Sequence, residues 1–310
     1  MYGLLAIAVG ALTAVQSRLN GQLSKDLHNG IAAALVSFGT GFIVLIFITL
    51  FMEKERKALV ALFSAVKHGR LKRWEIVGGT IGALFVSVQS ATVPVIGVAI
   101  FSICTIAGQT AASLLVDKFG ISPRGKQPIT APRVFAGVMT LVAVTVAVYP
   151  DLSNSTFQIL PVVLGVAVGA IAAYQAAING RVNEVIKRPL GTAWLNFLMG
   201  FSLLIFILAG NLVLGGHIDK FPTNPMAYMG GTIGVIFISV SAFVVKHMGI
   251  LDVILFSTSG VLTGAILLDW LAPANGASLD GYLIAGTLLT LVSIGISQVF
   301  TKRALAKATN

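Results

Sequence analysis

Long apolar runs separated by short polar segments make up most of this 310-residue chain. A helix needs about 20 apolar residues to cross a hydrocarbon core of about 30 Å, and runs near that length can be placed ten times. The pattern therefore predicts an all-α membrane protein with ten transmembrane helices. These are Leu4–Leu23, Ile31–Met52, Ile76–Val93, Val98–Val116, Val134–Val148, Leu160–Asn179, Leu190–Leu212, Ala227–Val245, Ile250–Leu268 and Tyr282–Phe300.

The ten runs form two copies of one five-run unit. Gln16-Ser-Arg-Leu-Asn20-Gly21 returns 159 positions later as Gln175-Ala-Ala-Ile-Asn179-Gly180. Gly78-Gly-Thr-Ile-Gly82 returns 152 positions later as Gly230-Gly-Thr-Ile-Gly234. Such self-similarity at a fixed spacing indicates an internal duplication. We therefore predict a first five-helix repeat at 1–149, an extracytoplasmic linker at 150–159 and a second five-helix repeat at 160–310.

The odd number of runs in each copy determines how the copies face the membrane. After five crossings, the second copy enters from the side opposite to the first. The repeats are therefore predicted to be inverted about a pseudo-two-fold axis in the membrane plane, which brings matching residues together near the bilayer centre. Because one chain already contains both copies, we expect it to function as a monomer.

Composition and charge agree with a membrane protein. Only 10% of residues are charged, whereas soluble domains carry roughly 25%. The net charge of +10 comes from loops between the runs, so a nucleic-acid partner, which needs a soluble basic face, is not expected. If Met1 is cytoplasmic, that side receives 18 of the 21 lysine and arginine residues. The positive-inside rule then predicts that both termini are cytoplasmic.

Amide side chains form one polar stripe in each half. Gln16 and Asn20 are four residues apart, on one helical face, and Gln175 and Asn179 repeat the arrangement. Both glutamines fall close to the middle of the bilayer. Amides at that depth either hold helices together or contact a solute in a midplane cavity. The convergence of two equivalent stripes favours solute contact.

Arg18 breaks the symmetry, since its counterpart is Ala177. A guanidinium at this depth is tolerated if it reaches an anion, backbone carbonyls or the outer interface. Arg18 either extends to the outer headgroups or favours anionic solutes through charge-assisted hydrogen bonds. Tyr174 is either core or a surface for stacking. The candidate substrate-binding residues are Gln16, Arg18, Asn20, Ser37, Gln89, Gln109, Tyr174, Gln175, Asn179 and Asn196.

Two further features have structural interpretations. Asp117 and Asp269 are equivalent and each ends a run, where a carboxylate opposes the helix dipole. We predict that they pair or cap rather than bind a cation. The basic segment 53–75 has apolar residues near helical spacing. It is predicted to be a helix in the cytoplasmic headgroup layer, with a solvated loop as the alternative.

Three of these motifs resemble a known family. They are the repeated Gln-x-x-x-Asn-Gly, the segment Val-Ser-Phe-Gly-Thr-Gly at 36–41, and Ala-Gly-Gln-Thr-Ala-Ala-Ser-Leu-Leu-Val-Asp-Lys-Phe-Gly at 107–120. They resemble the YdcZ-like branch of the drug/metabolite transporter superfamily. The resemblance implies a bacterial inner-membrane protein of two inverted halves, related to small multidrug exporters. Those exporters carry a first-span glutamate that exchanges protons for drugs, and this chain has Gln16 and Arg18 instead.

These observations predict a secondary transporter. It would move a small polar or anionic organic solute through a midplane cavity by alternating access, with membrane lipid as its surroundings. An inverted-repeat anion channel and a multidrug-type exporter are the alternatives. No enzyme activity, cofactor or metal is expected, because the four histidines lie in or near loops and no catalytic motif occurs.

Overall fold

The computed structural model describes residues 1–121, 125–126, 129–150, 152, 158–248, 250–272 and 279–308, without the side chains of 241–243, 245–246, 248, 250–252 and 301–308. Most of the linker predicted at 150–159 lies outside the described residues. The described part is helical and contains no strand. Its elements are α1 (Tyr2–Leu27), α2 (Gly30–Phe51), α3 (Glu53–Lys67), α4 (Arg73–Ile76), α5 (Gly78–Lys118), α6 (Ala131–Val148), α7 (Ile159–Ile186), α8 (Pro189–Val213), a 3-10 helix (Pro225–Tyr228), α9 (Gly230–Met248), α10 (Ile250–Leu271) and α11 (Gly281–Ala308).

Within the described residues, eight helices are long and apolar enough to cross a membrane. One of them joins α4 and α5 into a single stretch, Arg73–Lys118, and the apolar part of α9, Gly230–Val240, is shorter than the others. The prediction of an all-helical protein with several membrane-spanning helices is confirmed. The number of ten spans stays a prediction.

The long helix α5 is interrupted at Gly97. This residue has φ 81° and ψ 167°, a conformation that glycine adopts without a steric cost. The break leaves the next N–H groups without helical partners, and both oxygens of Asp269 accept from them, from Val98 at 3.1 Å and Ala99 at 2.7 Å. Asp117, the equivalent of Asp269, pairs with Arg133 at 2.5 Å. The predicted capping and pairing roles of the two aspartates are confirmed.

Equivalent close contacts between helices occur twice, once with each half supplying the glycine. Gly10 of α1 packs so tightly on α10 that a methyl group there would overlap the carbonyl oxygen of Ser257. Gly169 of α7 packs in the same way on the carbonyl oxygen of Thr105 in α5. Gly10 and Gly169 are equivalent positions, as are Thr105 and Ser257. The first helix of each half therefore packs against the fourth run of the other half.

A pair of phenylalanines lies where α2 meets α8. Phe38 of α2 packs over Gly200 of α8, and Phe197 of α8 packs over Gly41 of α2. The ring centroids are 5.3 Å apart, and both residues are buried. Each ring fills space that a side chain on the opposite glycine would need, so both glycines permit this contact.

The segment after α2 forms a helix rather than a loop. In α3, Ala58, Leu62 and Ala65 are buried against Ile178 and residues near it on α7 and α8. The opposite face of α3 is exposed, as expected for an amphipathic helix at a membrane surface. The helical interpretation of this segment is confirmed, and its position in the headgroup layer stays a prediction.

Candidate functional site

The amide stripe of α1 is joined to α5 by a short chain of hydrogen bonds. Asn20 Nδ2 donates to Gln89 Oε1 at 3.1 Å, and Gln89 Nε2 donates to Ser17 Oγ at 2.8 Å. Ser17 Oγ donates onward to the carbonyl oxygen of Thr13 at 3.0 Å. Asn20, Gln89 and Ser17 are all buried. These three residues are called the first network below.

One acceptor of the first network is left over. Asn20 Oδ1 is buried without a hydrogen-bond partner among the described residues. It faces Gly230 at the start of α9, where a methyl group would overlap it and would lie 3.0 Å from Ser37 Oγ. A buried unpaired oxygen costs about 1–3 kcal/mol. The first network therefore offers one unused acceptor where α1, α2 and α9 meet.

The amide stripe of α7 is joined to α8 instead. Asn196 Nδ2 donates to Asn179 Oδ1 at 2.8 Å and to the carbonyl oxygen of Thr192 at 3.0 Å. Gln175 Nε2 donates to Asn196 Oδ1 at 3.4 Å. Gln175, Asn179 and Asn196 are each half-buried. They are called the second network below.

The two glutamines pack on equivalent glycines of the other half. A methyl group on Gly234 would lie 3.3 Å from Gln16 Nε2, and one on Gly82 would lie 2.7 Å from Gln175 Nε2. The methyl group on Gly234 would also meet the ring of Phe197, at 3.7 Å. Gln16 therefore lies beside the pair of phenylalanines that fills the space between α2 and α8.

Two other candidates are exposed. Tyr174 is 40% exposed, and with Val163 and Ile171 it forms an exposed stripe along α7 at helical spacing. Gln109 is exposed on the second part of α5. The structure thus brings Asn20 to Gln89 and Gln175 to Asn179 and Asn196, and leaves Tyr174 and Gln109 outside both networks.

Arg18 reaches across to the other half of the chain. Its Nη2 donates to the carbonyl oxygen of Ala272, the residue that follows α10. Backbone carbonyls at a helix C-terminus lack helical partners and carry partial negative charge. Arg18 thus satisfies one such carbonyl at the end of α10. Backbone carbonyls are among the partners that the sequence allows for Arg18, and whether Arg18 also contacts a solute stays a prediction.

Arg181 makes the matching contact at the end of α5 and was not among the sequence candidates. It donates from Nη2 to Gly120 O at 2.9 Å and from Nε to Ile121 O. Its Nη1 lies 3.5 Å from Glu75 Oε1, and its guanidinium lies 5.4 Å from the Trp74 ring centroid. The sequence contained a signal for this residue. Arg181 aligns with position 22 of the first half, one helical turn after Arg18, so each half carries an arginine near the end of its first helix.

Two narrow crevices lie among the described residues. The first is lined by Leu45, Ile48, Thr49, Glu55, Leu59, Leu190, Gly191 and Trp194. The second is lined by Arg18, Gly21, Gln22, Lys25, Val93 and Pro94. Neither is lined by Gln16 or Gln175, so the predicted midplane cavity is not one of these crevices and stays a prediction.

The sequence matches one family of membrane proteins over both halves. The family model described as "Putative inner membrane exporter, YdcZ" matches residues 1–146 and 160–296. The chain belongs to this family. The two matched segments agree with the two repeats seen in the sequence, and the YdcZ family assignment identifies a multi-pass inner membrane protein of the transporter class.

A comparison with solved structures shows the fold alone. One structure, described as "Crystal structure of protein", superposes with a TM-score of 0.58 at 15% sequence identity, and the match covers 98% of this chain and 97% of that chain. No curated protein matches the sequence. The fold is therefore shared over the full length of a protein of very different sequence.

Proposed function

We propose that this YdcZ family protein is a secondary transporter that moves a small polar or anionic organic solute by alternating access. The family supports membrane export, while the solute class and the mechanism are the proposal. The protein would act as a carrier rather than an enzyme. It would work as a monomer within the lipid.

The lengths of α5 and α9 support ten spans. The 41 residues of α5 would form a rod of roughly 60 Å at 1.5 Å per residue, about twice the thickness of a hydrocarbon core. The break at Gly97 divides α5 into two parts, each of a length that suits one crossing. With α9 as a further span of 19 residues, each half has five crossings.

Five crossings per half support an inverted arrangement. The reciprocal packing of Gly10 and Gly169 agrees with a pseudo-two-fold relation between the halves. The distribution of lysine and arginine supports cytoplasmic termini. In this orientation Ala272 lies near the outer surface and Gly120 near the cytoplasmic surface.

The observation that carries the mechanism is the pair of arginine contacts. Arg18 of the first half binds the carbonyl of Ala272 in the second, and Arg181 of the second half binds the carbonyl of Gly120 in the first. Gly120 and Ala272 are equivalent positions. In the proposed orientation, one contact joins the two halves at the outer end and the other joins them at the cytoplasmic end.

Alternating access needs one closure at each end that can open while the other stays closed. Two arginines would supply such closures. Each lies on the first helix of its half, Arg18 on α1 and Arg181 on α7, and each bridges the halves at its own end. Both contacts are present together in the structure. We assign this arrangement to a closed state between the outward-open and inward-open forms.

Transport assays test the carrier. Metabolites and drugs that raise the unfolding temperature of the purified protein are selected first, since a ligand of the native state stabilises it by mass action. A selected solute should then show saturable uptake and counterflow in proteoliposomes. Currents that exceed carrier turnover would contradict the carrier and indicate the anion channel instead.

A further inference from the structure

The turn between α3 and α4 carries four cations within seven residues. They are Lys67, Arg70, Lys72 and Arg73. All four residues are exposed, and none of them forms an ion pair with another described residue. This set is called the basic turn below.

The backbone of the basic turn is held in place at the end of α3. Gly69 has φ 66°, a left-handed conformation that glycine adopts without a steric cost. Its N–H donates to Val66 O at 3.2 Å, and the N–H of Arg70 donates to Ala65 O at 2.9 Å, which is the usual pattern of a glycine-ended helix. Leu71, in the middle of the turn, is 3% exposed and packs with the apolar face of α3. The four cations are therefore attached to a fixed backbone.

The two ends of this surface segment differ in charge balance. At the start of α3, Glu53 pairs with Lys57 at 2.7 Å and Glu55 with Arg188 at 3.8 Å. No acidic residue lies between positions 56 and 74. Glu75, which follows, is 5% exposed and lies 3.5 Å from Arg181. Within segment 53–75, the positive charge of the basic turn is thus the part that no carboxylate balances.

Exposed aromatic side chains border the basic turn. Phe63, four residues before Lys67, is 55% exposed, and Trp74, which directly follows Arg73, is 36% exposed. Cations beside exposed aromatic side chains are typical of segments in the headgroup layer, where the rings enter the acyl boundary and the cations meet phosphates. A soluble acidic partner would explain the cations but not the exposed rings, so the combination favours an anionic lipid surface.

The basic turn is connected to Arg181, which binds the carbonyls at the end of α5. Glu75 Oε2 accepts from the backbone N–H of Lys72 at 2.8 Å, while its Oε1 faces Arg181 Nη1. The Trp74 ring centroid lies 5.4 Å from the same guanidinium. A ligand that fixes the basic turn therefore also fixes two residues that contact Arg181.

We propose that the basic turn binds anionic phospholipid headgroups, with phosphatidylglycerol as the lipid, and that the bound lipid stabilises the contacts of Trp74 and Glu75 with Arg181. This headgroup carries a negative phosphate and no cation, so it complements unbalanced positive charge. Phosphatidylcholine adds an ammonium that the four cations repel. The site goes beyond the proposed function and rests on it only for the position of the turn at the cytoplasmic membrane surface.

Hydrogen exchange of the wild-type protein tests the proposal at the turn itself. The full chain is placed in phosphatidylcholine nanodiscs with increasing shares of phosphatidylglycerol, and exchange is followed in residues 66–76. A ligand at ten times its dissociation constant should slow exchange through local opening by about tenfold, because it stabilises the closed state by mass action. The start of α3, where charges are balanced, should slow much less. Unchanged exchange at the turn, or equal slowing at both ends of α3, would overturn the proposal.

Matched variants separate the site from net charge. In Arg70→Gln, about fivefold more phosphatidylglycerol should be needed for half-maximal protection, since one cation near an anionic surface is worth about 1 kcal/mol. Lys67→Gln, Arg70→Gln and Arg73→Gln together should abolish the protection. The control combines Lys54→Gln, Arg56→Gln and Lys57→Gln, which removes the same charge from the other end of the helix and should leave protection of the turn in place. An equal loss in the two triple variants would contradict the site.

A further arm separates the lipid from a soluble phosphate. Glycerol 1-phosphate, which carries a phosphate and glycerol without acyl chains, should not slow exchange at the turn in pure phosphatidylcholine nanodiscs at millimolar concentration. Slowing would show that the turn binds soluble phosphates and would overturn the lipid assignment. Because transport is not measured, these outcomes are distinct from success or failure of the proposed carrier function.

Discussion

Asn20 and Asn179 occupy equivalent positions, yet they lie in differently built surroundings. Asn20 is 1% exposed and donates to Gln89 on α5. Asn179 is half-buried and accepts from Asn196 on α8. The first network is buried within the protein, whereas the second is only half-buried.

The cause of the difference lies in the partners. The position equivalent to Gln89 is Ser241, and the position equivalent to Asn196 is Ser37. Each half thus has one amide side chain that pairs with its asparagine, but this side chain lies on α5 in the first case and on α8 in the second. After duplication the asparagine stayed and its partner changed. We therefore expect the first network to serve mainly stability and the second to offer polar groups to a solute.

The largest expected effect comes from the glutamines that both stripes share. Replacing Gln16 and Gln175 together with alanine should abolish uptake in proteoliposomes. If each amide contacts the solute, each loss costs about 1–2 kcal/mol, which is about tenfold per residue and about a hundredfold for both. The single variants measure whether the two halves contribute equally. Normal uptake by a folded double variant would refute the assignment of both residues to the transport path.

A smaller effect should separate the two asparagines by stability. Asn20→Ala exchanges one buried unpaired oxygen, Asn20 Oδ1, for another, Gln89 Oε1, but it also removes a buried hydrogen bond and leaves a cavity. It should therefore lower the free energy of unfolding by about 1–2 kcal/mol. Asn179→Ala should cost less than about 1 kcal/mol, because water can replace a half-buried partner. Thermal unfolding in the same detergent measures both. Equal losses would show that the two networks do not differ in the way described.

The smallest effect concerns the glycines that face the asparagines. Gly230→Ala would push on Asn20 Oδ1, while a methyl group at the equivalent Gly78 would lie 3.4 Å from Asn179 Oδ1 and 2.9 Å from Ile178 Cγ2. Alanine is otherwise favoured over glycine inside helices by about 0.5–1 kcal/mol. We therefore expect Gly230→Ala to be the less stable of the two by about 1 kcal/mol, measured by thermal unfolding. The reverse order would contradict the tight packing of Asn20.

The sequence predicted the parts of this molecule that depend on pattern. The all-helical fold and the helix at α3 follow from hydrophobic spacing, and the roles of Asp117 and Asp269 follow from their positions at the ends of runs. The two amide stripes, Gln16 with Asn20 and Gln175 with Asn179, were predicted because their residues share one helical face. These features are local, since spacing along a helix determines which side chains share a face.

The hydrogen-bond partners of these amides could not be predicted. Whether Asn20 meets Gln89 or Ser37 depends on how α1, α2 and α5 are rotated about their axes, and that rotation is set by tertiary packing such as the close approach at Gly230. The contacts of Arg18 and Arg181 with helix-end carbonyls were hidden for the same reason. Every residue has a backbone carbonyl, so the sequence could not indicate which one each guanidinium contacts.

The most direct test of the two-ended closure is sided labelling of cysteines. Cys104 is buried, and Cys104→Ser gives a cysteine-free background for Ser37→Cys and Asn196→Cys, which are equivalent positions. A membrane-impermeant maleimide is applied from the outside or, in inverted vesicles, from the cytoplasmic side. Lys25→Gln and Lys187→Gln serve as controls that remove a nearby positive charge without touching either arginine contact.

Arg18→Gln should raise labelling of Cys at position 37 from the outside only, because it releases the carbonyl of Ala272. Arg181→Gln should raise labelling at position 196 from the cytoplasmic side only. If each arginine variant opens its own side and no other, the two halves act as inverted closures of one path. If either variant exposes both positions, or both positions are labelled from the same side, the inverted arrangement and the alternating-access mechanism are contradicted.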